Sequence, residues 1–334
     1  MFSAKDKLNT GFTRRHTREP LAEGAPKTPG SAICPPPWGR VKIGFAGLSA
    51  GAGATTLAFA AAEYLAALSG KPSVSMLEID MRPGAPAGRP YDKIGIDRRF
   101  AGRDFIPFYR LAAEGKPLGG ASNIDGGINW VLRVPGEPGP VPSPVTLHRL
   151  LNNIAGDIIV CDISAQSILA SAGPAGGHFP AASHFPAGAH FPEGSHFPAG
   201  DHFSAASHFP AASHFPAGGG QAPETAASAA LLALLADLDH VVCIFDPLPS
   251  RLLAAVSAAE ACRAAAASGV PVTYVFNKLN DGVNLREATR FTGIKDFLAF
   301  PAAQPGSVYA AEYACRSLAA EPEIKAALTT LFGR

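Results

Sequence analysis

From residue 41 onward, short runs rich in β-branched and apolar residues alternate with longer alanine- and leucine-rich stretches of helical pattern. The runs at 41–47, 73–80, 128–134, 157–164, 240–247, 271–278 and 297–302 predict strands. Their hydrophobicity is nearly continuous, as expected of strands buried on both faces. The stretches at 55–69, 144–154, 224–238, 250–268 and 307–333 predict helices. The alternation predicts an α/β fold, a mostly parallel sheet of about seven strands flanked by helices. In such a sheet the ligand crevice lies at the carboxyl ends of the strands.

Two segments depart from this pattern. Residues 1–40 carry Lys5, Lys7, Arg14, Arg15, Arg18 and Lys27 among polar residues and prolines. They have little to pack and read as a disordered basic tail, in preference to a membrane- or partner-binding arm. At 177–218 a six-residue unit of the form HFPxxx occurs seven times, starting at His178, His184, His190, His196, His202, His208 and His214. Proline in all but one unit forbids a regular helix and leaves a sheet ladder short of donors. The segment reads as a low-complexity loop inserted into a domain that spans 41–334.

Three readings of the repeats stay open. Expansion of a tolerated surface loop is preferred. Metal storage is the alternative, since imidazole suits nickel and zinc. In a polyproline II chain, however, a period of six places neighbouring histidines roughly 19 Å apart. The phenylalanines could also act as stickers for a partner.

Composition narrows the function classes. With 334 residues and 47% apolar content, the chain can bury a sizeable core. A net charge of +1 predicts no general attraction to nucleic acid or anionic lipid. The five cysteines read as reduced, with Cys161 and Cys243 inside strand-like runs. No apolar run is long enough for a transmembrane segment, and no secretory signal is evident at the N-terminus. The expected location is the cytoplasm, with peripheral membrane association as the alternative. His148 and His240 lie in apolar helix and strand patterns and are expected to be structural.

Residues 47–66, GLSAGAGATTLAFAAAEYLA, follow the first strand and carry most of the chemistry. In a phosphate-binding loop, backbone N–H groups cradle the phosphates, a lysine reaches the terminal ones, and a Ser or Thr hydroxyl holds magnesium. Gly51, Ala52, Gly53 and the helix start keep the backbone part, and Thr55 and Thr56 supply hydroxyls. Where the lysine is expected the chain has Ala54.

On these residues the chain resembles the MinD/ParA group of P-loop ATPases, whose loop reads KGGxGKTT. In that register Ser49 stands in place of the signature lysine and Ala54 in place of the second one. The closest pattern is the degenerate Walker A loop of the TadZ/CpaE branch. The resemblance extends along the chain. Residues 76–84, MLEIDMRPG, look like the second strand and first switch, with Glu78 and Asp80 as the D-x-D-like pair that positions magnesium and attacking water. Residues 105–136 are similar to the short helix, variable loop and third strand. Residues 157–164 match the strand whose aspartate, Asp162, contacts the metal through water. The usual switch after that aspartate is not recognisable, because Ala165, Gln166 and Ser167 lead into the repeats. Residues 272–280, VTYVFNKLN, resemble the strand ending in the base-reading asparagine, here Asn277. Asn280 stands where a guanine reader needs an aspartate, so adenine is favoured.

The resemblance implies ATP and Mg2+ as ligands, Glu78, Asp80 and Asp162 as catalytic residues, and Thr55 and Asp162 as metal contacts. The nucleotide contacts are Gly51, Ala52, Gly53, Ala54, Thr55, Thr56 and Asn277. It further implies a homodimer and a protein partner in an assembly or localisation system. Phosphoryl transfer relies on positioned charge, so losing both lysines predicts weak or absent hydrolysis. The competing expectation is an active NTPase of nickel-centre maturation that uses the histidine-rich loop for delivery.

Overall fold

A computed structural model describes residues 40–80, 89–135, 142–164, 233–266 and 269–333. The expected tail, apart from Arg40, the repeat insertion at 177–218 and the first part of the helix expected at 224–238 lie outside the described residues. Arg40 is tied to the domain, donating to the backbone carbonyls of Asn152 and Ile154.

The chain runs β1 (Val41–Gly47), α1 (Ala54–Ala66), β2 (Val74–Ile79), α2 (Arg89–Ile94), α3 (Ile96–Arg99), α4 (Phe108–Ala113), β3 (Ile124–Asp125), β4 (Ile128–Val131), α5 (Pro144–Asn153) and β5 (Ile158–Ile163). It continues through β6 (His240–Phe245), α6 (Pro249–Ala266), β7 (Val272–Leu279), α7 (Leu285–Thr292), β8 (Leu298–Pro301), α8 (Pro305–Tyr313) and α9 (Pro322–Phe332). The eight strands form one sheet in the order β3-β4-β2-β5-β1-β6-β7-β8. Every pairing is parallel except β3 with β4.

Side-chain alternation along the strands sorts the core into two layers. Val41, Ile43 and Phe45 of β1, Ile158 and Val160 of β5, and Val242 and Ile244 of β6 pack against α1, α2 and α9. Ala46, Ile159, Cys161, Ile163, Val241, Cys243 and Phe245 pack on the opposite face with α4, α5 and α6. Both faces are covered, which accounts for the near-continuous hydrophobic runs. The described cysteines are all free, and Cys161, Cys243 and Cys262 are buried. His240 is buried with its Nε2 2.8 Å from the Thr273 hydroxyl, a structural contact.

Local boundaries differ from the sequence expectation for identifiable reasons. The eighth strand, β3, is two residues long and joins β4 through Gly126 and Gly127, both at positive φ, as a tight hairpin turn requires. The helix expected over 307–333 is three pieces: α8, a 3₁₀ turn at Leu318–Ala320, and α9. Cys315 at φ 53° interrupts it, Ser317 caps the turn, and Pro322 fits only the first turn of a new helix. The unexpected α7 is bounded by an Asn284 cap, which accepts from the Glu287 amide, and by Gly293 at φ 69°.

Candidate functional site

Strand phase brings the acidic residues together. Val74 and Met76 of β2 face the α1 layer, so the period of two carries Glu78 to the same face. Ile158 and Val160 do the same for Asp162. In the parallel β2–β5 register Glu78 lies directly beside Asp162. Asp80 follows at the strand end, where its carboxylate accepts from the Ser164 hydroxyl at 3.3 Å. All three acidic side chains are nearly fully buried.

The glycine loop folds over this face. Gly53 occupies the position before α1 in the left-handed region, at φ 94°, and a Cβ there would run into the Asn277 amide. Asn277 lies on the α1 face of β7, and its Nδ2 donates to the Ala52 carbonyl at 2.8 Å, fastening the loop to the sheet. No side chain caps α1 and its first turn carries no acid. The amides at the helix start, which have no intrahelical partner, are therefore presented with the positive end of the helix dipole to an anion.

The result is a cleft of about 440 Å³. Ser49, Gly51, Ala52, Gly53, Ala54, Thr55, Thr56, Glu78, Asp80 and Asp162 all line it. Two buried polar atoms in this lining have no hydrogen-bond partner: Ser49 Oγ, on a residue 2% exposed, and Asp162 Oδ1, on a residue 4% exposed. Leaving such atoms unmatched costs free energy, which a polar ligand would recover. Burial raises the Asp162 carboxyl to about 6, against a hydrogen bond from Thr55 and the nearby Lys93 charge that pull it down. Glu78 is raised to about 8, chiefly by burial, although it accepts from the Arg133 amide at 2.9 Å.

The Thr55 hydroxyl bonded to Asp162, beside that carboxylate's unmatched oxygen, fits a hard divalent cation. No group of three or more His, Cys, Asp or Glu side chains forms a metal cage among the described residues. A cation here would be completed by water and phosphate oxygens, which is how Mg2+ is usually held.

Two lysines outside the loop reach the cleft. Lys93 of α2 donates to the Thr56 hydroxyl at 2.7 Å and pairs with Glu312 of α8 at 3.3 Å. Its helix is anchored by the buried Tyr91 and Ile94. The adjoining α3 is anchored by Arg99, which bonds Glu63 and Asp125 at 3.1 Å each and lies over the Phe59 and Trp130 rings. Lys278 adopts φ 59°, at a register shift between Phe276 and Leu279 of β7. A bulge of this kind re-aims a side chain. Here the Lys278 ammonium donates to the Gly51 carbonyl and pairs with Asp246 at 3.3 Å.

Asn277 does not line the cleft. It lines an adjoining, more apolar pocket of about 530 Å³ with Leu57, Pro247, Leu248, Val283, Pro301 and Val308. Gly53, Thr56 and Lys278 border both cavities, so the two form neighbouring halves of one crevice at the carboxyl edge of the sheet. Sequence reasoning missed Lys93 and Lys278. Lys278 had a local signal, its place in the NKLN stretch, whereas Lys93 in RPYDKI had none.

No family model matches the sequence, and no curated protein matches it. Solved structures do. A plasmid partition protein from Borrelia burgdorferi B31 bound to AMPPNP matches with a TM-score of 0.54 at 12% identity, over 87% of this chain and 97% of that one. The septum site-determining protein MinD from Pyrococcus horikoshii OT3, complexed with Mg-ADP, matches with a TM-score of 0.52 at 13% identity, over 88% and 95%. The MinC:MinD cell division complex of Aquifex aeolicus gives 0.53 at 11% identity, over 87% and 93%. The fold is that of the MinD/ParA P-loop NTPases.

Proposed function

We propose that the crevice binds Mg2+–ATP and that the chain acts as a nucleotide-dependent localisation or assembly factor, a homodimer with a protein partner, in the manner of the TadZ/CpaE branch. The observation that carries the reading is the unmatched, buried Asp162 Oδ1 beside Thr55 at an uncapped helix start. Bound magnesium would supply a dication that offsets the Asp80 and Asp162 charges and shields the phosphates. The amides of Gly51, Gly53 and Thr55 would cradle the phosphates. The apolar pocket beside Asn277 would take the base. Two of the similar structures hold AMPPNP and Mg-ADP, which supports the ligand class. A MinC:MinD complex among them supports a protein partner.

Hydrolysis is slow in this reading. Ser49 and Ala54 leave the loop without a cation aimed at charge developing on the transferred phosphoryl group. Losing one such donor typically costs about 3–4 kcal/mol of transition-state stabilisation. Among the described residues no helix is long and apolar enough to cross a membrane. Titration calorimetry with Mg2+–ATP, run beside a phosphate-release assay on the native chain and on Ala54→Lys, tests both halves. Saturable heat with Mg2+–ATP and faster release by Ala54→Lys are expected. Absence of binding overturns the ligand assignment, and equal turnover in the two chains overturns the slow-hydrolysis assignment.

A further inference from the structure

We infer that Lys93, presented from α2 instead of the loop, is the cation that contacts the terminal phosphates of the bound nucleotide. The inference rests on the Mg2+–ATP reading above and goes beyond it by assigning the charge that Ser49 and Ala54 lack. A triphosphate in a cleft lined by Asp80 and Asp162 needs positive charge besides one magnesium ion, because like charges in a partly desolvated site repel strongly.

Two ammonium groups line the cleft among the described residues, and their surroundings differ. Lys278 is committed. It holds the Gly51 carbonyl and pairs with the buried Asp246, whose side chain is 6% exposed, so its charge is balanced where it stands. Its position also faces both halves of the crevice.

Lys93 is held more lightly. One donor goes to a neutral hydroxyl, Thr56 Oγ1, and another to Glu312, a carboxylate 53% exposed and therefore a weak, water-screened partner. An ammonium has three donors, so these contacts leave capacity for a phosphate oxygen. Thr56 belongs to the first turn of α1, which fixes the Lys93 ammonium at the mouth of the amide cradle. Lys93, Thr55 and Asp162 all line the same cleft. A multiply charged phosphate chain would draw the ammonium away from Glu312, since the attraction is stronger and less exposed to water.

Titration calorimetry on the full chain at fixed ionic strength tests the assignment, with Mg2+–ATP and AMP as the probes. Native protein is compared with Lys93→Gln, which can keep a hydrogen bond to Thr56 without the charge, with Lys93→Ala, and with Lys93→Ala combined with Ala54→Lys. Loss of one charge-assisted contact predicts about 10- to 100-fold weaker Mg2+–ATP binding in both single variants. AMP affinity should be unchanged, and the double variant should recover Mg2+–ATP binding. If native protein binds neither probe, the ligand reading fails and this inference with it. If native protein binds Mg2+–ATP and Lys93→Gln binds it equally well, the inference alone is overturned.

Discussion

The two halves of the crevice are built from opposite materials. On one side of Gly53 the walls are amides, hydroxyls and three buried acids. On the other they are largely Leu57, Pro247, Leu248, Val283, Pro301 and Val308. The apolar half needs only shape and hydrocarbon, which many sequences can supply. The polar half depends on individual charges and on single hydrogen bonds, and the loop itself, with Ser49 and Ala54, supplies no cation to it. Lys93 and Lys278 reach that half from α2 and β7, elements that lie outside the loop in sequence.

The change expected to do most damage removes the boundary between the halves. In Gly53→Ala a Cβ must enter the left-handed region and meet the Asn277 amide. Strain of this kind costs about 1–3 kcal/mol, to be read as a lower urea midpoint, and it should weaken Mg2+–ATP and AMP together. An affinity loss confined to one probe would show that Gly53 does not join the two halves.

Asp162→Asn acts on the polar half alone. It removes the charge opposite Thr55 while keeping the shape, so Mg2+–ATP should bind about 10- to 100-fold more weakly while AMP is unaffected. Titrations with and without magnesium check this, and the variant should lose most of the magnesium dependence.

The polar half also carries a pH dependence. Glu78 moves from an ordinary 4.5 to about 8 on folding, chiefly through burial, and Asp162 from 3.8 to about 6. Because both folded values are raised, the folded chain holds protons that the unfolded chain releases. The stability this confers is present at low pH and lost as pH rises from about 4 to 8. Glu78→Gln should flatten that decline by about 3 kcal/mol in urea melts taken at pH 5 and pH 8. Magnesium needs the charged Asp162, so Mg2+–ATP affinity should rise from pH 5 to 7 over the same interval in which the empty protein loses stability.

The mildest test addresses the apolar half. Asn280 borders that pocket and accepts from the Gly282 amide at 3.0 Å. Asn280→Asp adds a charged acceptor that can receive guanine N–H groups and should move the GTP-to-ATP affinity ratio toward GTP by about 3- to 10-fold. An unchanged ratio would place the base elsewhere.

Much of this architecture is local in origin and was legible along the chain. Strand runs buried on both faces, a glycine turn before an alanine-rich helix, and acids at strand ends follow from periodicities of two to four residues. They correctly indicated the sheet, whereas the loop and acidic residues, from Ser49 to Asp162, were singled out through the family resemblance; the structure sets ten of them around one cleft. The boundaries that went astray also had local causes, among them the Gly126–Gly127 turn and Pro322. Only the tertiary structure decided the β2–β5 register that sets Glu78 beside Asp162. It also decided which cations enter the cleft: Lys93 meets Thr56 across 37 positions of sequence and Lys278 meets Gly51 across 227. No periodicity reaches that far, because a charge arriving from another element depends on how helices and bulges pack on the finished sheet.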